Sequence, residues 1–155
     1  MASSKIRRNP SGDLSSTLRY GDKLGKYVIT GFAGKGATSY VYRARRQSSF
    51  EPVAIKVLHP HLIAQPAKRR KFFNEARLML RMEHPNVVEF HEILETDGKV
   101  AFVMDYIDGT TLDDFLAERV GPMDEETLAM LFIDVLRGVA HAHDKGVIHR
   151  DLKPA

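Results

Sequence analysis

From Tyr27 onward the chain alternates short runs of β-branched and aromatic residues with runs at helical spacing. Tyr27-Val28-Ile29-Thr30-Gly31-Phe32-Ala33 predicts a strand, Gly34 to Ser39 a turn, and Tyr40 to Arg45 a second strand in which Val41 alternates against its neighbours. After the loop Gln47 to Glu51, Pro52 to Leu58 predicts a third strand, with Pro52 at its first position, where no ladder donor is needed. His59 to Pro66 reads as a loop. Phe72, Phe73, Ala76, Met79 and Leu80 then recur at helical spacing behind the basic run Lys68 to Lys71, and His84-Pro85-Asn86 ends that helix. Val87 to Leu94 and Val100 to Met104 predict two further strands, joined by a hairpin turn at Asp97-Gly98. A short helix is expected over Thr111 to Arg119, capped by Thr110 or Thr111. A longer helix, capped by Asp124, is expected to run to about Asp144, with Leu128, Leu131, Phe132, Val135, Leu136 and Val139 three and four apart and Gly146 as its stop. Five strands with one inserted helix, followed by helices, place the chain in the α+β class.

One residue breaks the pattern of the third strand. Lys56 sits in the middle of Val53-Ala54-Ile55-Lys56-Val57-Leu58, a run whose other members are apolar. An ammonium there must snorkel to water, find a partner or face a ligand, because desolvating an isolated charge costs several kcal/mol or more. Two flanking features point to the last two outcomes together. Upstream, Gly34-Lys35-Gly36 lies between two strands, where glycine lets the backbone approach a ligand and turn its amides to an anion. Downstream, Glu75 lies on a helix that must pack on this sheet, and its carboxylate could hold Lys56 extended and charged. A Rossmann reading of the glycines fails, because a strand and not a helix follows them.

Composition narrows the class. The chain has 155 residues, 43% of them apolar and 28% charged, which suits a globular domain with its own core. A net charge of +3 is too small to indicate a nucleic-acid partner or a membrane surface. There is no Cys, no run of about 18 apolar residues and no apolar stretch behind Lys5, Arg7 and Arg8, so a disulfide framework, a membrane span within these residues and a secretory signal are not expected, and a cytoplasmic location is. Residues 1–19, rich in Ser, Asn, Pro, Gly and charge, predict a disordered basic tail.

Taken together, these stretches resemble the eukaryotic-type Ser/Thr protein kinases. Gly34-Lys35-Gly36-Ala37-Thr38-Ser39-Tyr40-Val41 is similar to the family's G-x-G-x-x-G-x-V loop, and Val53-Ala54-Ile55-Lys56 matches V-A-I-K. His149-Arg150-Asp151-Leu152-Lys153-Pro154 matches the start of the catalytic loop, and its Lys favours the Ser/Thr branch over the tyrosine branch. Glu75 corresponds to the glutamate of the helix called αC in this family. Met104 falls at the gatekeeper position, and Asp105-Tyr106-Ile107 resembles the hinge. The resemblance implies a small lobe with hinge over 20–107, a five-stranded antiparallel sheet plus αC, and the first helices of a mainly helical large lobe over 108–155.

It also implies ATP and a protein substrate as partners. Ala33, Gly34, Lys35, Gly36 and Ser39 would form the flap over the nucleotide, Lys56 would pair its phosphates, and Glu75 would position Lys56. Val41, Ala54 and Met104 would line the adenine slot, with the Asp105 carbonyl and the Ile107 amide on its edge. Asp151 would orient the substrate hydroxyl and Lys153 would face the transferred phosphate. Arg150 would pair with a phosphorylated activation loop, and His149 would be a support. Two departures qualify this. Ser39 stands in place of the third glycine, which predicts a stiffer flap. The Asn and the Asp-Phe-Gly that hold Mg²⁺ in the family are absent from these 155 residues, so no metal ligand is expected among them and the polypeptide alone is expected to be an inactive fragment. An ATP-binding pseudokinase or regulatory module, a small-molecule kinase of related fold and a plain structural domain stand as alternatives.

Overall fold

A computed structural model describes residues 17–119 and 121–154. Most of the expected tail lies outside them. The chain folds as two compact units, one running to Leu80 and completed by Phe90–Tyr106, the other comprising Arg81–Glu89 and Ile107–Ala155.

The first unit is built on one antiparallel sheet of six strands: β1 (Lys23–Leu24), β2 (Tyr27–Lys35), β3 (Ser39–Arg46), β4 (Pro52–Leu58), β5 (Phe90–Thr96) and β6 (Lys99–Asp105), in the order β1-β2-β3-β4-β6-β5. The sequence reading expects five. The sixth is β1, a two-residue strand too short to show a period, which pairs with Val28 and Tyr27 at the start of β2. A second difference is α1 (Pro60–Ile63), a single turn inside the stretch expected to be loop, begun by Pro60 at its first position. The β5–β6 turn has Asp97 at φ 52° and Gly98 at φ 68°, the left-handed pair that a two-residue hairpin requires.

Alternation divides the sheet's side chains between two cores. On one face Ile29, Tyr42, Ala44, Val53, Ile55, Val57, Ala101 and Val103 are buried together with Leu24 and Tyr27. Leu18, from the stretch expected to be tail, packs against this cluster, and its amide donates to the Tyr42 hydroxyl at 3.2 Å. On the other face Leu58, Val100 and Phe102 bury against Leu62, Phe72, Ala76 and Phe90. Phe72 and Ala76 belong to α2 (Pro66–Met79). This helix has no side-chain cap at Gln65 and no acidic residue in its first turn, where Lys68 stands instead. Its own dipole disfavours that arrangement, so its stability comes from docking. Phe72 packs at a tilt against Phe102 with ring centroids 4.0 Å apart. Burying such a ring contributes about 1.5–3 kcal/mol.

In the second unit α3 (Leu112–Ala117) and α4 (Glu125–Asp144) are capped by Thr111 and Asp124, whose side chains accept from the amides of Asp114 and Thr127 at 3.1 and 2.8 Å. Helix α4 ends in a Schellman turn. The amides of Gly146 and Val147 donate to the carbonyls of His143 and Ala142, both at 2.8 Å, with Gly146 at φ 72°. Gly138 is the buried residue of α4 and lies against the Asn86 backbone, where a Cβ would meet the Asn86 carbonyl oxygen at 2.7 Å. The apolar side of the helix is otherwise open: Leu128, Leu131, Phe132, Val135 and Leu136 are between 37% and 61% exposed.

Candidate functional site

The strand register gathers most of the sequence-selected residues of the first unit. Gly34 pairs with Val41, Val41 with Lys56, and Lys56 with Phe102, so the four lie on one rung across β2, β3, β4 and β6. At about 4.8 Å between strands, Gly34 and Lys56 are about 10 Å apart along that rung. The next rung with the same facing, two residues along, carries Arg43, Ala54, Met104 and Phe90. Residues directly opposite one another point to the same side. Val41, Ala54, Lys56 and Met104 therefore share the face on which α2 packs, opposite to Val53, Ile55 and Val57.

Lys56 is three-quarters buried, and its charge is met. Its Nζ donates to Glu75 Oε1 at 2.6 Å and lies 5.2 Å from the centre of the Phe102 ring. Helix α2 supplies Glu75 because Phe72 and Ala76, three positions before and one after, fix which side of the helix meets the sheet. A small cavity of about 120 Å³ opens beside this pair, lined by Thr38, Leu58, Lys68, Lys71, Phe72 and Glu75. Two lysines at its mouth add positive potential on the same side as Lys56.

Above the rung, β2 and β3 are joined by a tight turn. The Gly36 amide donates to the Ser39 carbonyl at 2.8 Å, and Ser39 is 2% exposed. A Cβ on Gly34 would meet nothing within 4 Å. Open space at that glycine is room for a ligand to approach the backbone. Ala33, Lys35, Ala37 and Thr38 are exposed along the turn.

The remaining selected residues lie in the second unit, apart from Asp105 at the end of β6. The Asp105 carboxylate pairs with His91 Nε2 at 2.9 Å, and Ile107 is 65% exposed. Near the chain's end, Arg150 takes a left-handed φ of 63°, the Asp151 amide meets His149 Nδ1 at 3.3 Å, and Lys153 Nζ stands 3.6 Å from Asp151 Oδ2. The Pro154 carbonyl accepts from the Asp113 amide at 3.2 Å, which ties this segment to the start of α3. Asp151 and Lys153 are both exposed.

Two residues that sequence reasoning passed over touch the site's frame. His59, read as loop, is 4% exposed and its Nε2 donates to the Gly36 carbonyl at 3.0 Å. The signal was available. His59 follows a strict alternation and so falls on the face opposite Lys56, against the turn. The second is Glu92 on β5, bound by Lys26 Nζ at 2.8 Å and by the Tyr27 hydroxyl at 2.5 Å. Burial pulls its carboxyl upward, but those two hydrogen bonds and the Lys26 and Arg46 charges outweigh burial and hold it below the usual range. Burial first, and then the Glu92 carboxylate, push the Tyr27 hydroxyl well above its ordinary 10.0.

A family model of the protein kinase domain matches residues 27–155, and the chain belongs to that family. Its relatives include Ser/Thr kinases. It is 35% identical over 129 residues to a CBL-interacting serine/threonine-protein kinase 15 of Arabidopsis thaliana, covering 83% of this chain and 30% of that protein. It is 36% identical over 141 residues to the serine/threonine-protein kinase PkaA of Streptomyces coelicolor, covering 84% of this chain and 26% of the relative. The chain thus spans less than a third of the length of these relatives. Among solved structures, the Mycobacterium tuberculosis PknI kinase domain superposes with a TM-score of 0.75 at 29% identity, covering 90% of this chain and 56% of that one. The fold is that of a kinase small lobe with the start of a large lobe.

Proposed function

We propose that the first unit binds ATP on the Lys56 face of its sheet, and that the protein carries the terminal phosphoryl group to Ser or Thr hydroxyls of other proteins. The observation that best supports this is the Lys56–Glu75 contact of 2.6 Å on the rung shared with Gly34. The residues fit a nucleotide: a held cation, an open glycine backbone, and Val41, Ala54 and Met104 as an apolar floor on the same face. Phosphoryl transfer asks little covalent work of a protein, so placement of charge dominates.

In this reading Ala33 to Ser39 form the flap, with Gly34 and Gly36 giving the phosphates access to backbone amides. Lys56 neutralises phosphate charge, and Glu75 keeps it extended. The Asp105 carbonyl and the Ile107 amide bond the adenine edge. By their place in the family motif, Asp151 orients the substrate hydroxyl and Lys153 faces the transferred group. Mg²⁺ is the nucleotide's expected companion. The described residues contain no cluster of three or more His, Asp or Glu side chains able to hold an ion, and none is assigned to it. Because the 155 residues lack the family's metal-binding Asn and Asp-Phe-Gly, a polypeptide of these residues alone is expected to be inactive.

The deciding experiment offers the complete protein radiolabelled ATP with Ser- and Thr-containing peptides and, separately, with aminoglycoside and choline acceptors. Label in peptide hydroxyls is the expected result. Label only in a small molecule, or nucleotide binding without transfer, would replace this reading with one of the alternatives.

A further inference from the structure

The glycine turn is held from behind by a residue outside every motif described above. We infer that His59 is a positioning residue that fixes the Gly36–Ala37 peptide so that its N–H faces the phosphate side of the flap; this rests on the nucleotide reading of the same site.

Four observations carry it. First, His59 is 4% exposed and its Nε2 lies 3.0 Å from the Gly36 carbonyl oxygen. A carbonyl oxygen only accepts, so Nε2 carries the proton. Second, the His59 amide donates to the Thr38 carbonyl at 2.9 Å, extending the β3–β4 ladder by one step and grasping the turn at a second point. Third, the ring cannot swing away. It packs edge-on against Tyr40 with centroids 4.3 Å apart and stacks on His61 at 5.6 Å, and Tyr40 in turn leans on Phe32 and Tyr42 at 6.3 Å each. Fourth, the Ala37 amide makes no hydrogen bond among the described residues, although Ala37 sits between two residues whose carbonyls are both taken.

The geometry follows from peptide planarity. In a trans peptide the C=O of one residue and the N–H of the next point in opposite directions. His59 lies on the Tyr40 face of the sheet, and Lys56 and Leu58 lie on the other. A Gly36 carbonyl drawn to His59 therefore turns the Ala37 N–H toward the side that carries Lys56. Were this peptide flipped, the flap would present a carbonyl oxygen to an anion. The backbone hydrogen bond from the Gly36 amide to the Ser39 carbonyl closes the same turn.

The test uses three forms of the full chain: wild type, His59→Phe, which keeps a ring against Tyr40 and deletes the donor, and His59→Gln, which restores a donor at similar reach. Affinity for N-methylanthraniloyl-ADP is read by fluorescence. Hydrogen exchange is read at Gly36 and His59, with the β4–β6 amides as the internal standard for folding. His59→Phe is expected to weaken the nucleotide about 2- to 12-fold, the span for one lost hydrogen bond. It should also speed exchange at Gly36 and His59 alone, and His59→Gln should recover both. Unchanged affinity and exchange in His59→Phe would overturn the inference. Faster exchange across β4–β6 as well would overturn it in favour of a purely structural role. If wild type bound no nucleotide while His59→Phe still loosened Gly36, the tether would stand and the nucleotide reading would fall.

Discussion

Replacing Glu75 by Gln removes one charge from the Lys56 pair and leaves its size and a hydrogen-bond acceptor in place. Two effects on nucleotide binding then oppose one another. The Glu75 side chain is 44% exposed, so the 2.6 Å contact is partly screened and holds Lys56 with about 1 kcal/mol rather than the larger energy of a fully buried pair. Freed from it, Lys56 regains rotamer entropy, up to about 2 kcal/mol for a lysine, which must be lost again when a phosphate binds. Against this, deleting a carboxylate about 6 Å from an incoming phosphate relieves a repulsion of about 0.7 kcal/mol in a water-like dielectric. Positioning outweighs repulsion, leaving a net loss of about 1 kcal/mol, or about fivefold in affinity. Salt gives the sign a second check. The repulsion and the ion pair that orders Lys56 are both screened at high ionic strength, so the defect should shrink between 50 and 500 mM salt. Titration calorimetry of ATP into wild type and Glu75→Gln at the two salts reads both effects. Tighter binding by Glu75→Gln at 50 mM salt would refute the positioning role.

Other expectations follow from the same structure. Gly138→Ala should destabilise the second unit. The added Cβ would lie 2.7 Å from the Asn86 carbonyl, an overpacking cost of about 1–3 kcal/mol that the better helix propensity of Ala offsets by about 1 kcal/mol. A raised melting temperature would contradict that packing. The Lys26–Tyr27–Glu92 cluster should make stability depend on acid. The Glu92 carboxyl is depressed in the folded state, so its contribution is fully present above the ordinary carboxylate range and is lost as pH falls through the folded value. The melting temperatures of wild type and Glu92→Gln should therefore converge toward low pH, and a constant gap would show that the cluster does not titrate as described.

Much of the candidate site's geometry was legible in the sequence because a rule-breaking residue pointed to it. Lys56 stands out only because the residues around it alternate so plainly, and the same alternation places Val41, Ala54 and Met104 on its side of the sheet. Glu75 could be found because Phe72 and Ala76 fix the helix face. What escaped reading was short or nonlocal. Lys23–Leu24 has too few residues for a period and is a strand only because β2 offers a free edge. Pro60–Ile63 is one turn, below the length at which spacing carries a signal. The strand expected from Val87 begins at Phe90, because residues 84–88 belong to the other unit, where Asn86 meets Gly138. His59 could have been assigned to a face but not to a partner, since its bond to Gly36 spans 23 positions and depends on how the turn closes. Nor could the His91–Asp105 pair be foreseen, because it depends on the register of β5 against β6, which is shifted by an irregularity between Phe90 and Glu92.

The most direct measurement is ATP binding by the full chain and by Lys56→Met, whose side chain is of similar length, apolar and uncharged. Binding by wild type that falls at least about tenfold in Lys56→Met, as loss of a charge-assisted phosphate contact requires, is the expected result. Equal affinity in the two proteins would mean that the ammonium held by Glu75 does not meet the nucleotide.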